Sequence, residues 1–326
     1  MPSAPLLVIH PGALGDLVAA FAVLLQLKKR FPGGIDGVCQ EHLVRLAVDL
    51  GIFRRAVAME AAAFAALYSD AAGPAEAALT AFFRPYGAVL LFSNAPALET
   101  GVLRVFSGPV HRIPPRPEVS RRIHVHDHLL ANLVAAGLLG PSAADAPFPE
   151  GFPRRKPGPF RDLRGKRILL HPGSGSPRKN WPLERFLALA GRLRREGMAP
   201  EFIAGPAEAR LAARIRGVED GWRVHAPASL AELPALLKEG DGYVGNDSGV
   251  SHLAAFLGLP TLALFGPSDP VRWRPRGRAA TVLAASGEGC EPCFEREGGN
   301  CEGSPCLAGI SVDAAAGRLG SLLMGE

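Results

Sequence analysis

Three short stretches carry side chains suited to phosphate, sugar hydroxyls and protons. The first is Gly245-Asn246-Asp247-Ser248-Gly249, set before an apolar-periodic run that begins at Val250 and stops at Gly258 and Pro260. Asn, Asp, Ser and Gly are turn and N-cap residues, so the run reads as a helix with its start at this turn. A helix N-terminus offers unpaired N–H groups and a partial positive charge, which suits a phosphate. Gly249 lets a bulky anion approach the backbone. Asp247 would repel phosphate and suits a cap or an acceptor for a sugar hydroxyl. The plainer reading is an ordinary capped helix. The second stretch, Ser174-Gly175-Ser176-Pro177-Arg178-Lys179-Asn180, has small residues, hydroxyls and a lysine ahead of a helix. Those are the materials of a diphosphate cradle. The third, Gly12-Ala13-Leu14-Gly15-Asp16, puts a carboxylate where a helix begins. Asp16 is either a base or a carboxylate that complements the helix dipole.

Two further clusters are open. Cys290, Cys293, Cys301 and Cys306 lie close together near the C-terminus; their irregular spacing fits either a metal site or free thiols. His124, His126 and His128 alternate beside Arg121 and Arg122. Alternation brings ligands together only on a strand, whereas 127–130 looks like a helix start. The residues then read as solvated side chains at a helix entry.

The elements that must position these stretches alternate as α/β units. Tyr243 and Val244 close a short strand, and 261–265 is a second buried one, so the first stretch sits inside a βαβ unit. Leu6-Leu7-Val8-Ile9 is a strand, followed by a glycine turn and a helix ending in Lys28-Lys29-Arg30. Arg167-Ile168-Leu169-Leu170-His171-Pro172-Gly173 echoes Leu7-Val8-Ile9-His10-Pro11-Gly12, which points to two similar Rossmann-like halves. Further strands are expected at 34–38, 55–58, 88–92, 110–113 and 201–204. Helices are expected near 61–69, 74–83 and 183–195, at 230–238 behind a Ser229 cap, and from Ser311 onward. The stretch 140–165 is rich in Pro, Gly and basic residues and reads as an interdomain linker. The spacing Gly-x-Gly-x-x-Gly occurs at Gly240-Asp241-Gly242-Tyr243-Val244-Gly245, but there it runs into a strand rather than from a strand into a helix, so it is not the dinucleotide fingerprint, and a nicotinamide oxidoreductase is disfavoured.

Length and composition set the outer bounds. The 326 residues suit two domains, and 48% hydrophobic with 21% charged residues is a globular balance. The net charge of +5 fits plain solubility, an anionic substrate or an anionic membrane surface. Basic residues are not interleaved with aromatics, so no nucleic-acid partner is expected. There is no apolar run of transmembrane length and no basic leader, which predicts a cytoplasmic protein.

Three separated motifs jointly resemble glycosyltransferase family 9, the ADP-heptose:lipopolysaccharide heptosyltransferases. They are Leu14-Gly15-Asp16 with its basic-ended helix and Phe31-Pro32; His171-Pro172-Gly173 through Lys179-Asn180-Trp181-Pro182-Leu183-Glu184-Arg185-Phe186; and 245–255 with 263–270. The cysteine tail followed by Leu307 and Ile310 also resembles the family. The resemblance implies an α/β GT-B fold, with two doubly wound Rossmann-like domains facing a central cleft. It implies an acceptor-binding domain over 1–152 and a nucleotide-sugar-binding domain over 153–326, with the last helix as a candidate to pack back on the first domain. It implies Asp16 as general base and Gly15 as a substrate contact. It implies Ser174, Gly175, Ser176, Lys179, Glu208, Asp247, Ser248, Gly249 and His252 around the nucleotide, and Ala228 near the adenine. The implied reaction is inverting transfer of heptose from ADP-heptose to a sugar hydroxyl of the lipopolysaccharide inner core, at the cytosolic face of the inner membrane. The partners are the ADP-sugar donor and a glycolipid acceptor, with peripheral membrane contact. No Asp-x-Asp motif occurs, so no obligatory cofactor or metal is expected to hold the diphosphate. The chain departs from the family at His10-Pro11-Gly12, where a basic residue and hydroxyls are usual, and that bears on acceptor contacts. A nucleotide-sugar epimerase of the same architecture and an inactive nucleotide-binding relative are the alternatives.

Overall fold

The computed structural model describes residues 4–68, 74–145, 148–153, 159–218, 221–284, 291–296 and 304–325. The chain divides into two compact units, Met1–Glu118 with Val125–Phe152, and Val119–His124 with Pro153–Glu326. Each is built on a wholly parallel sheet.

In the first unit the strands are β1 (Leu6–His10), β2 (Ile35–Cys39), β3 (Ala56–Ala58), β4 (Ala88–Phe92) and β5 (Val110–Ile113), in the order β3-β2-β1-β4-β5. Every residue of β1 and β4 is buried. That follows from helices on both faces of a parallel sheet, which ask for continuous apolar strands. Leu7, Ile9, Val89 and Leu91 enter one core with Phe83, Leu98 and Val102. The second strand begins at Ile35 rather than 34 because Gly34, at φ +92°, turns the chain into it.

The second unit has β6 (Arg167–His171), β7 (Ala199–Ile203), β8 (Val224–His225), β9 (Gly242–Asn246), β10 (Thr261–Phe265) and β11 (Ala280–Ala284), in the order β11-β10-β9-β6-β7-β8. Strand β7 starts earlier than expected, because Ala199 pairs in register with Arg167. Ile168, Leu170, Val244, Leu262 and Leu264 share a core with Phe186, Leu189 and Leu193 of the helix Leu183–Arg195.

The last helix, Val312–Met324, packs on the second sheet: Ala315, Ala316, Leu319 and Leu323 lie in that same core. Its small alanines let it lie close to the sheet, and Gly242 offers the space: a Cβ there would meet Leu323 Cδ2 at 3.0 Å. Its start is capped by Ser311, whose Oγ accepts the Ala314 N–H at 3.1 Å.

Both sheets share one consequence. Strand order reverses between β1 and β4, and again between β6 and β9. In open α/β sheets ligands bind at such a switch point, outside the carboxyl ends of the strands. Asp16 follows β1; residues 174–179 follow β6 and residues 247–252 follow β9.

Candidate functional site

In the second unit the two turns at the switch point are tied by one side chain. Asn246, the last residue of β9, is fully buried. Its Nδ2 donates to the Pro172 carbonyl at 2.8 Å, and its Oδ1 accepts the Trp181 N–H at 2.9 Å. The turn after β6 is thus pinned at both ends. Trp181 anchors it further: it is 1% exposed, packs edge-on against Phe186 at 5.0 Å, and donates its indole N–H to the Ile310 carbonyl at 3.1 Å.

Within the turn, the Ser174 hydroxyl has the Ser176 carbonyl at 2.6 Å and Asn180 Oδ1 at 2.7 Å, and it accepts the Ser176 N–H at 3.2 Å. Ser174 therefore shapes the loop. Gly175 is exposed, with nothing within 4 Å of where a Cβ would stand. Lys179 reaches back to Asp247, Nζ to Oδ2 at 2.8 Å. The Asp247 side chain is 7% exposed, so this ion pair is largely out of water. The ammonium also lies 4.1 Å from the centroid of the Phe294 ring, a cation–π contact.

The helix Gly249–Phe256 starts beside this pair. Its cap is Ser248, whose Oγ accepts the Ser251 N–H at 3.3 Å. Ser248, not Asp247, is therefore the cap, and Asp247 pairs with the lysine. His252 lies in the first turn and is buried. With Gly249 free of a side chain, the leading N–H groups and the Lys179 charge sit at one strand edge. That edge is suited to a diphosphate.

Glu208 joins from the turn after β7. Its Oε2 accepts the Gly205 N–H at 2.9 Å, and its Oε1 stands 3.9 Å from His171 Nε2. Burial lowers the pKa of His171 to about 4, so the ring is neutral near pH 7. Ala228, after β8, is exposed, and its N–H donates to Glu232 at 3.1 Å. Ser229 was expected to cap a helix over 230–238. Its hydroxyl donates to Glu232 Oε1 at 3.3 Å instead, and a 3₁₀ turn, Leu230–Glu232, precedes the helix Leu233–Glu239.

In the first unit, Gly15 and Asp16 open the helix Leu14–Arg30, whose cap position, Ala13, supplies no side-chain hydrogen bond. Asp16 is not solitary. Arg116 clasps it with two parallel bonds, Nε to Oδ1 at 3.0 Å and Nη2 to Oδ2 at 2.7 Å. His10 is buried beneath, its pKa lowered to about 4 by burial, which outweighs the pull of nearby Asp16.

Comparison with known proteins adds the lineage. Residues 142–301 match the profile of glycosyltransferase family 9 (heptosyltransferase), just under half of the chain. Lipopolysaccharide heptosyltransferase 1 of Pseudomonas aeruginosa is 32% identical over 130 residues, 40% of this chain and 36% of that protein. The chain spans a third to a half of the length of the curated relatives it matches. Two solved structures superpose along nearly the whole chain: ADP-heptose lipopolysaccharide heptosyltransferase II of Escherichia coli and a family 9 glycosyltransferase of Veillonella parvula. The first has a TM-score of 0.73 at 20% identity, covering 98% of this chain and 99% of that one. The second has a TM-score of 0.76 at 20% identity, covering 100% and 99%. Residues 142–301 are thus similar to glycosyltransferase family 9.

The resemblance drawn from the three motifs is borne out, and the fold is the two-sheet α/β architecture of the GT-B heptosyltransferase structures. The family 9 stretch contains every expected nucleotide contact; Gly15 and Asp16 lie outside it. The structure gathers Ser174, Gly175, Ser176, Lys179, Asp247, Ser248, Gly249 and His252 on the β6 and β9 turns, with Glu208 on the β7 turn beside them. Ala228 follows β8, the edge strand.

Six residues were missed or underread. Asn246 read as a turn residue; its bridging role depends on contacts 65 and 74 residues away. Arg116 and Phe294 carry no sequence signal of their partners. The three alternating histidines, read as solvated, are buried at 6%, 1% and 7%. His124 Nε2 donates to the Arg274 carbonyl and His128 Nε2 to the Pro114 carbonyl, each at 2.9 Å. Among the described residues no group of three or more His, Cys, Asp or Glu side chains could hold a metal ion. Cys290 and Cys301 lie outside the described residues. Cys293 accepts a contact from Arg178 Nη2 at 3.6 Å. Among the described residues no helix is long and apolar enough to cross a membrane.

Proposed function

We propose that this protein is an inverting glycosyltransferase that moves heptose from ADP-heptose to a sugar hydroxyl of the lipopolysaccharide inner core. The observation that carries the reading is the Lys179–Asp247 pair at the start of the helix Gly249–Phe256, at a Rossmann switch point, within family 9 sequence. The unit built on residues 153–326 binds the donor, and the unit built on 1–152 binds the acceptor. The acceptor is a membrane glycolipid, so the enzyme works against the cytosolic face of the inner membrane. Relatives named lipopolysaccharide heptosyltransferases, and a fold neighbour named ADP-heptose lipopolysaccharide heptosyltransferase II, support the choice of sugar and nucleotide.

The chemistry is a single displacement. Asp16 takes the proton of the acceptor hydroxyl; that oxygen bonds to the anomeric carbon. The bond from that carbon to the diphosphate oxygen breaks, and its electron pair leaves with ADP. Lys179 and the N–H groups at Ser248, Gly249 and Val250 oppose the charge that grows on the departing diphosphate. Ser174 and Ser176 hold the cradle in shape, Glu208 binds the ribose hydroxyls, and Ala228 borders the adenine. No cofactor beyond the donor takes part. Calorimetry of ADP, UDP, GDP and NAD against the purified protein tests the nucleotide, with ADP expected to bind most tightly. Incubation with ADP-heptose and a Kdo-terminated core acceptor tests the transfer. Preference for UDP, or turnover without any acceptor, refutes the reading and favours the epimerase alternative.

A further inference from the structure

Asp16 owes its geometry to a residue that neither motif nor family match points to. Arg116 lies 100 positions away, on the loop after β5, the edge strand of the first sheet. All five strands are parallel, so that loop and Asp16 share one sheet edge. The pair is bidentate, and the Asp16 side chain is 11% exposed. A fork of two N–H groups on two oxygens fixes both the position and the plane of a carboxylate. Each oxygen gives one lone pair to Arg116 and keeps another for a proton.

The loop that presents Arg116 is stiff. It reads Pro114-Pro115-Arg116-Pro117. Proline fixes its own φ and restricts the residue before it, so little chain entropy opposes this presentation. The loop is also nailed to the helix Val125–Ala135. His128, buried at 7%, donates Nε2–H to the Pro114 carbonyl at 2.9 Å. With that proton on Nε2, Nδ1 is an acceptor, and Asn132 Nδ2 donates to it at 3.3 Å and to the His128 carbonyl at 2.8 Å. A line of contacts therefore runs from Asn132 through His128 and Pro114 to the arginine, and from the arginine to Asp16.

We propose that Arg116 is the positioning residue of the Asp16 base, held in place by the proline loop and its His128 pin. This rests on the reading of Asp16 as the base. Arg116→Ala is expected to lower kcat roughly 100-fold, the cost of misplacing a reacting group by about 1 Å. The KM for ADP-heptose and the affinity for ADP stay as in the parent protein. Guanidinium at sub-denaturing concentration restores part of the kcat of Arg116→Ala and does nothing for Asp16→Asn. Arg116→Lys, which keeps the charge but not the fork, falls between parent and alanine variant. It also serves if the alanine variant does not fold. Full activity in Arg116→Ala overturns the proposal. So does a raised acceptor KM with kcat intact, which makes Arg116 an acceptor contact, and so does a loss in Arg116→Ala that guanidinium does not relieve. Absence of transfer by the parent protein instead removes the glycosyltransferase reading itself.

Discussion

The ends of β1 and β6 carry the same three residues and do different things. His10-Pro11-Gly12 and His171-Pro172-Gly173 each close the first strand of a sheet, beside its switch point. In both, the histidine is buried, with its pKa lowered to about 4 by desolvation. Among the described residues Nδ1 has no hydrogen-bond partner in either ring. In both, the glycine is pressed by a carboxylate side chain: a Cβ would stand 2.9 Å from Asp16 Cβ in one and 2.5 Å from Glu208 Cγ in the other. The two frames match, but the loops that leave them differ. After β1 a three-residue turn leads straight into a helix, so the carboxylate is delivered by that helix's own first turn and meets an arginine. After β6 the chain makes an eleven-residue excursion before its helix, and the carboxylate comes from the neighbouring β7 turn. The excursion has room for hydroxyls, a glycine and a lysine. Loop length after a shared frame thus separates a carboxylate clasped by an arginine from a turn that carries hydroxyls, a glycine and a lysine.

The sharpest way to break that contrast is to neutralise each end in turn. Asp16→Asn keeps the side chain's shape and removes its basicity. Turnover should fall about 10³-fold, within the range for a general base, while ADP binds as before. Steady-state rates beside calorimetry decide it. Near-normal turnover makes both strand ends binding devices and erases the distinction.

The histidines test whether the frames are really alike. An unfolded histidine titrates near 6.5, and both folded ones titrate near 4. Between those values the unfolded chain holds more protons, so stability is full above about pH 6.5 and declines as pH falls towards 4. The loss is on the order of 3 kcal/mol per site. Urea midpoints from pH 7 to pH 4.5 should fall. His10→Met and His171→Met should each flatten the decline by a similar amount. A flattening by only one of them means that the two pockets differ in burial or in hydration.

Much of this contrast was legible in the sequence, and its limits have physical causes. The repeated strand and glycine turn announced two sheets, because parallel strands buried on both faces need unbroken apolar runs. The hydroxyls, Lys179 and Asp247 were visible because turn chemistry is local. The features that stayed hidden depend on distant pairing. Asp247 looked like a cap, but Ser248, one residue on, is the cap, and the lysine 68 residues earlier claims the carboxylate. Arg116 looked like any basic loop residue, because a fork between positions 16 and 116 leaves no periodic trace. The alternating histidines read as solvated because one of their partners is a backbone carbonyl on the far side of a loop, which no spacing encodes.

Lys179→Ala addresses the second end. The ammonium faces a carboxylate and an aromatic ring and is 20% exposed, so its charge is poorly shielded by water. ADP should bind more weakly by about 1.5–3 kcal/mol, as for a charge-assisted hydrogen bond. Unchanged affinity by calorimetry would mean that the helix N-terminus alone grips the diphosphate, and that the lysine serves only Asp247.

The smallest effects should come from the glycines, and they rank the two frames by stiffness. At Gly12 an added Cβ meets His10 Cε1 at 2.8 Å and Asp16 Cβ at 2.9 Å. The first belongs to a ring buried at 2%, and the second is fixed to a helix backbone, so neither yields easily. Gly12→Ala should cost about 1–3 kcal/mol in stability, as overpacking does. At Gly173 the obstacle is the Glu208 side chain from Cγ outward, which can rotate away at the expense of its bond to the Gly205 N–H. Gly173→Ala should therefore cost no more than about 1 kcal/mol, near the net worth of one hydrogen bond. Thermal melts of the two variants side by side give the ranking. If Gly173→Ala proves the more damaging, the β6 turn is the rigid frame and Glu208 is locked, and the short turn carrying Asp16 is the one that yields.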